Sequence, residues 1–168
     1  MQKSPNILSV LLFSFFVLQL NISFSSYFIF AQELDWKHTG GPMGGIIGGM
    51  DISSNGDIYA GVYPFMIQYS GLFKSTDDGK SWNRIESQFD DFEVYSIHIT
   101  KENIVWVGTT YQGRIYRSTD NGISWQNKAN GFGGNECWAI GESKEGTLFA
   151  SDVNWGGLYR STNNGDNW

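Results

Sequence analysis

One cysteine, Cys137, in 168 residues leaves no partner for an intrachain disulfide, so the fold holds by packing and hydrogen bonding alone. Cys137 lies in an apolar run, where a thiol is expected to be a buried and inert core residue. Histidine is nearly as scarce. His38 and His98 are far apart, and His98 alternates with Ile97 and Ile99, so no ligand spacing for a metal appears. No metal and no cofactor are expected. Basic runs are also lacking: beyond residue 31 there are 10 basic against 17 acidic residues, which excludes attraction to a nucleic-acid backbone. The glycine-rich stretch Gly40-Gly41-Pro42-Met43-Gly44-Gly45 has no lysine to make it a phosphate-binding loop. Prolines number 3, and no long stretch carries helical period. What remains abundant is glycine, at 21 residues, and aromatics, at 16%. That balance describes an all-β chain of short strands and tight turns.

The first 31 residues differ from the rest. Lys3 is their single charge, and the apolar runs Ile7–Leu20 and Ile22–Phe30 lead to the small residue Ala31. This is the pattern of a secretory signal peptide over 1–31, cut before Gln32. The domain at 32–168 is then expected to be secreted, periplasmic or at the cell surface, with no membrane insertion after cleavage.

Within 32–168 one phrase occurs three times at a constant interval. Ser75-Thr76-Asp77-Asp78-Gly79-Lys80-Ser81-Trp82 returns 43 residues later as Ser118-Thr119-Asp120-Asn121-Gly122-Ile123-Ser124-Trp125. It returns again as Ser161-Thr162-Asn163-Asn164-Gly165-Asp166-Asn167-Trp168. A strict period of this length marks an array of supersecondary units. Ahead of each phrase come three short apolar runs bounded by turn residues: Ile46–Ile52, Ile58–Gly61 and Gly71–Lys74 in the first unit. Their counterparts are Val94–Ile99, Val105–Gly108 and Arg114–Arg117, then Cys137–Ile140, Leu148–Ser151 and Gly157–Arg160. Each unit reads as strands A, B and C, the phrase, and strand D starting near its tryptophan.

Four antiparallel strands per repeat make the blade of a β-propeller, with blades at about 44–86, 93–129 and 136–168. A strand at 34–38 around Trp36 matches a lone strand D and is assigned to a closing blade. Rings use about four to eight blades, so the chain is expected to be the front part of a longer protein. Four extra residues fall within Tyr63–Ser70 of the first unit, on a B–C loop, where repeat proteins commonly place binding residues.

The phrase Ser-x-Asp-x-Gly-x-Ser-Trp resembles the Asp box, or bacterial neuraminidase repeat. The surrounding residues Ile58–Gly61 and Gly71–Asp77 are closest in pattern to photosystem II assembly factor-like and xyloglucanase-like propellers. The resemblance implies a box at the propeller edge, away from the central site. Ser75, Asp77, Gly79 and Trp82 are therefore assigned a structural role, with Ser118, Asp120, Gly122 and Trp125, and Ser161, Asn163, Gly165 and Trp168. Asn163 fits an Asx-turn and could not serve as a catalytic carboxylate.

The B–C loops carry an aromatic in every unit, and Tyr63, Phe65, Tyr69, Tyr111 and Trp155 are the candidate ligand-binding residues. Sugar C–H faces stack on such rings, and Gln68, Gln112 and Asn154 are placed to bond hydroxyls. The same aromatics could equally pack between blades. The D–A loops add Asp90, Asp91, Glu93 and Glu136 as paired carboxylates. Asp152 is the one candidate acid, because Phe149–Val153 with Gly156–Arg160 resembles the segment bearing a catalytic aspartate in xyloglucanase-like hydrolases. In that family the segment belongs to the first blade, where this chain has Val62. No Arg-Ile-Pro occurs, which argues against a sialidase. The sequence thus favours a non-catalytic scaffold binding a polysaccharide, another glycan or a protein. The alternative is the N-terminal part of a secreted glycoside hydrolase.

Overall fold

Residues 38–42, 45–64, 70–86, 92–110, 115–153 and 156–168 are described in the computed structural model. The leader at 1–31 and all of the strand at 34–38 except His38 lie outside the described residues. The described chain contains eleven strands and no helix. The first sheet has β1 (Gly45–Ile52), β2 (Ile58–Pro64), β3 (Gly71–Ser75) and β4 (Asn83–Ile85). The second has β5 (Val94–Ile99), β6 (Val105–Thr109), β7 (Ile115–Ser118) and β8 (Gln126–Asn127). The third has β9 (Ala139–Glu142), β10 (Leu148–Asp152) and β11 (Gly157–Ser161). Each sheet is an antiparallel meander in chain order.

Alternation along the B strands explains why the sheets stack. Side chains point to opposite faces at successive positions, so a strand can feed two cores. In β6, Val105 and Val107 join Tyr59 and Leu72 of the first sheet, with Val94, Ile97 and Tyr116. Trp106 points the other way. With Ile115 it packs on Cys137, Leu148 and Ala150 of the third sheet, and with Phe132 of the intervening loop. Every residue of β6 is buried. One blade is thus covered on both faces by its neighbours, and the stack holds where a single sheet would not.

Polar ties join the same sheets at the A–B turns. Asn103, with φ 60°, accepts the Ser54 N–H at Oδ1 (2.8 Å) and donates from Nδ2 to Ser54 Oγ (2.8 Å). Asp51 Oδ2 accepts the Ile99 N–H at 2.7 Å. The first strand of the third sheet starts at Ala139, two residues after Cys137. The reason is a bond across blades: Cys137 N–H donates to Thr109 O of β6 (3.1 Å) and so leaves its own sheet's ladder. Thr39–Trp168 form one compact unit.

Candidate functional site

The repeated phrase forms the turn between strands C and D. Ser75 Oγ donates to Asp77 Oδ1 (2.8 Å) and accepts the Gly79 N–H (2.9 Å). Asp77 then accepts the Ser81 N–H at Oδ1 (2.8 Å) and the Ser81 hydroxyl at Oδ2 (2.6 Å). The second copy repeats this with Ser118, Asp120, Gly122 and Ser124. In the third, Asn163 Oδ1 accepts from Ser161 Oγ (2.8 Å) and from the Asn167 N–H (3.1 Å). The central pairs Asp78-Gly79, Asn121-Gly122 and Asn164-Gly165 all have positive φ, between 58° and 86°. Two successive left-handed residues make the type I′ turn, whose twist suits a tight hairpin and which favours Asn or Asp followed by Gly. The Ser81 hydroxyl and N–H, with Ser75, hold the Asp77 carboxyl down at about 2, and Ser124 with Ser118 does the same for Asp120. These carboxylates are committed acceptors of local bonds.

Tryptophan closes each turn, though not identically. Trp82 Nε1 donates to Gly79 O (3.2 Å) and Trp125 Nε1 to Gly122 O (3.1 Å). Trp168 Nε1 instead donates to Lys128 O of the second blade at 2.7 Å.

The second and third turns are also gripped by the blade before them. Tyr59 OH (3.0 Å) and Lys74 Nζ (3.4 Å) both donate to Asn121 O, and Lys74 lies over the Tyr59 ring and pairs with Asp57. One unit later Arg117 donates to Asn164 O at 3.1 Å while its guanidinium lies over Trp106. The C-strand base therefore clamps the next blade's turn carbonyl in both units, joined by the aromatic hydroxyl where that residue is Tyr59, while the Trp106 ring lies beneath Arg117. Tyr59 and Trp106 share one repeat position and Lys74 and Arg117 another, yet what they do depends on contacts between units and could not be read from one unit.

At the opposite ends of these strands three aromatic rings form a ladder across the blades. Tyr63, at the end of β2, meets Tyr95 of β5 edge-on at 4.9 Å, and Tyr95 stacks on Trp138 at 4.5 Å with 30° between planes. Tyr95 and Trp138 occupy the same position in the repeat, 43 residues apart. The first unit has Gly48 there, and Tyr63 fills the space: a Cβ on Gly48 would lie 3.1 Å from Tyr63 Cδ1. Trp138 is 45% exposed, and Tyr63 and Tyr95 are half-buried. Glu93 Oε2 accepts the Tyr95 hydroxyl (2.6 Å), and Glu136 Oε2 accepts Trp138 Nε1 (3.0 Å). Burial, then the Glu93 bond, raises the Tyr95 phenol well above its usual range, so it stays a donor. Sequence reasoning had named Tyr63, Glu93 and Glu136 but missed Tyr95 and Trp138. The shared repeat position was the available signal.

Asp152 ends β10 beside this surface. Its Oδ1 accepts the Glu136 N–H (3.2 Å) and its Oδ2 the Gly156 N–H (2.9 Å), so both oxygens hold backbone of flanking loops. Of the other candidates, Phe65, Tyr69, Tyr111 and Trp155 lie outside the described residues, as do Gln68, Asp90, Asp91, Gln112 and Asn154. Cys137 is fully buried, and burial pushes its thiol up to about 12. His98 sits between carboxylates of both neighbouring blades, Asp51 at 3.8 Å and Glu142 at 3.7 Å. Among the described residues no group of three His, Cys, Asp or Glu is arranged to hold a metal. A polar hollow of about 300 Å³ lies at the A–B turns, walled by Lys101, Glu102, Glu142, Lys144 and Glu145.

Three stacked antiparallel sheets, clamped turn to blade, define a stretch of β-propeller. Solved propellers match it in fold. The GH74 enzyme of Niastella koreensis is 17% identical with a TM-score of 0.55, over 72% of this chain and 21% of its own. The GH74 xyloglucanase of Xanthomonas campestris is 17% identical with a TM-score of 0.53, over 67% and 20%. The extracellular domain of BT4673 from B. thetaiotaomicron is 21% identical with a TM-score of 0.56, over 78% and 17%. The chain spans about a fifth of the length of these structures. No protein-family model matches the chain, and no curated protein matches it.

Proposed function

We propose that this propeller segment is exported and binds glycan, without turning it over, on the face that carries Tyr63, Tyr95 and Trp138. The observation behind this reading is the ladder itself. Three rings from three blades line one face, and the most exposed, Trp138, is oriented by a carboxylate. Aromatic faces complement the C–H faces of sugars, and Glu93 and Glu136 offer acceptors to hydroxyl groups at the ring edges. The eight-residue turns are, on this reading, Asp boxes that staple the blades. The neighbours of like fold include a xyloglucanase, which keeps polysaccharide among the ligands worth testing first. Hydrolysis through Asp152 has less support, because both its oxygens are occupied by backbone N–H groups.

Affinity electrophoresis of the domain through gels containing soluble polysaccharides tests the proposal. Retardation should appear with at least one neutral polysaccharide and fall at least tenfold in Trp138→Ala, whose thermal unfolding should match the parent. Unretarded migration in every gel, or retardation untouched by Trp138→Ala and Tyr63→Ala, would falsify it.

A further inference from the structure

The centre of the aromatic ladder is edged by negative charge. Tyr95 has a described blade on either side and remains half-buried, its ring between those of Tyr63 and Trp138. Glu93 Oε2 accepts its hydroxyl at 2.6 Å, and Glu136 Oε2 accepts Trp138 Nε1 at 3.0 Å, so a carboxylate stands at the edge of each of two stacked rings. After burial and the Glu93 bond, the charges of both carboxylates help to raise the Tyr95 phenol. Oε1 of each accepts no hydrogen bond among the described residues, and no described base pairs with either. The nearest bases along the chain in the second blade turn to the third instead, Arg117 to Asn164 and Lys128 to Asp166. Residues 86–93, which lead into β5, hold Glu86, Asp90, Asp91 and Glu93 and no base.

We propose that the ligand of this face is a glycan of amino sugars with free amines, its ammonium groups seated at the ring edges against Glu93 and Glu136. The inference deepens the glycan reading above and rests on it. An ionised carboxylate can only accept, whereas an ammonium brings three donors and the opposite charge. Such a charge-assisted bond is about twice as strong as one between neutral groups. The negative π faces of Tyr95 and Trp138 attract the same cation, so rings and carboxylates select one ligand together. A neutral sugar would use the rings but leave both charges uncompensated. A uronic acid would bring like charge against them and be repelled.

Isothermal titration calorimetry of the whole chain at about pH 6 reads the outcome, with glucosamine oligosaccharides, their N-acetylated counterparts, cello-oligosaccharides and oligolysine of matched length as probes. The glucosamine oligomer should bind at least tenfold more tightly than the other three. Glu136→Gln keeps an acceptor for Trp138 Nε1 while removing the charge, so it should erase that preference and leave affinity for the neutral sugars within about twofold. Glu93→Gln should do the same, and both variants should unfold at the parent's temperature. Glu145→Gln removes the same charge at an exposed A–B turn and should leave the preference intact. Neutral sugars bound as tightly as the glucosamine oligomer would overturn this inference and leave the glycan reading standing, whereas binding of no sugar would overturn both. Oligolysine bound as tightly, or an equal loss in Glu145→Gln and Glu136→Gln, would reveal attraction to any polycation and overturn it too.

Discussion

Replacing Gly165 by alanine separates two reasons why a glycine stands in the repeated turn. The first is backbone strain: Gly165 has φ 74°, and a residue with a Cβ there costs about 1–2 kcal/mol. The second is space. A Cβ on Gly165 would fall onto the Trp106 ring, 2.7 Å from Cζ3, and Trp106 is fully buried with no room to swing aside. Forcing an extra carbon into such packing costs about 1–3 kcal/mol more. Gly56 provides the matched control, since it has φ 89° but nothing within 4 Å of a built Cβ. Gly56→Ala should therefore lose about 1–2 kcal/mol and Gly165→Ala about 2–5 kcal/mol. Urea unfolding followed by tryptophan fluorescence and far-ultraviolet circular dichroism measures both. Equal losses would refute the claim that the turn glycine is also a packing surface for the preceding blade.

Acid should break the serine-bonded carboxylates of the first two turns, whereas the third has the uncharged Asn163 in that place. The Asp77 and Asp120 carboxyls are held down at about 2 by Ser81 and Ser124, so their contribution is complete above the ordinary carboxylate value of about 4. It is lost as pH falls from there through about 2, because the unfolded chain takes up those protons first. The Asp77→Asn, Asp120→Asn double variant should flatten that part of the stability profile in pH-dependent urea melts, while an unchanged slope would assign it to other carboxylates. Cys137, fully buried with its thiol raised to about 12, should react with a disulfide reagent at pH 8 only at the rate of unfolding. Rapid labelling of the native protein would contradict that placement.

The strands were legible because the repeat supplied three readings of one pattern, and period-2 alternation between turn residues has few other solutions. The sheets differ from that reading mainly at Cys137, whose N–H goes to Thr109 of the neighbouring blade. The turn's internal bonds were legible too, since all partners lie within the eight residues. What could not be read was anything made between units. Tyr59, Lys74, Trp106 and Arg117 acquire their role only when the next blade is stacked on them. Likewise Tyr95 and Trp138 looked like ordinary strand residues until their rings were found in one row with Tyr63.

The clamp also decides where the array can be cut and rejoined. A blade lifted out along its own strand boundaries would leave its aromatic and base behind a foreign turn, and its own turn under a foreign grip. The stretch that keeps donors and acceptor together runs from Tyr59 to Gly122, or from Trp106 to Gly165. Each spans most of two sheets. The heritable module of this protein is in that sense a seam between blades, and exchange of repeats between such chains should succeed when it preserves seams intact.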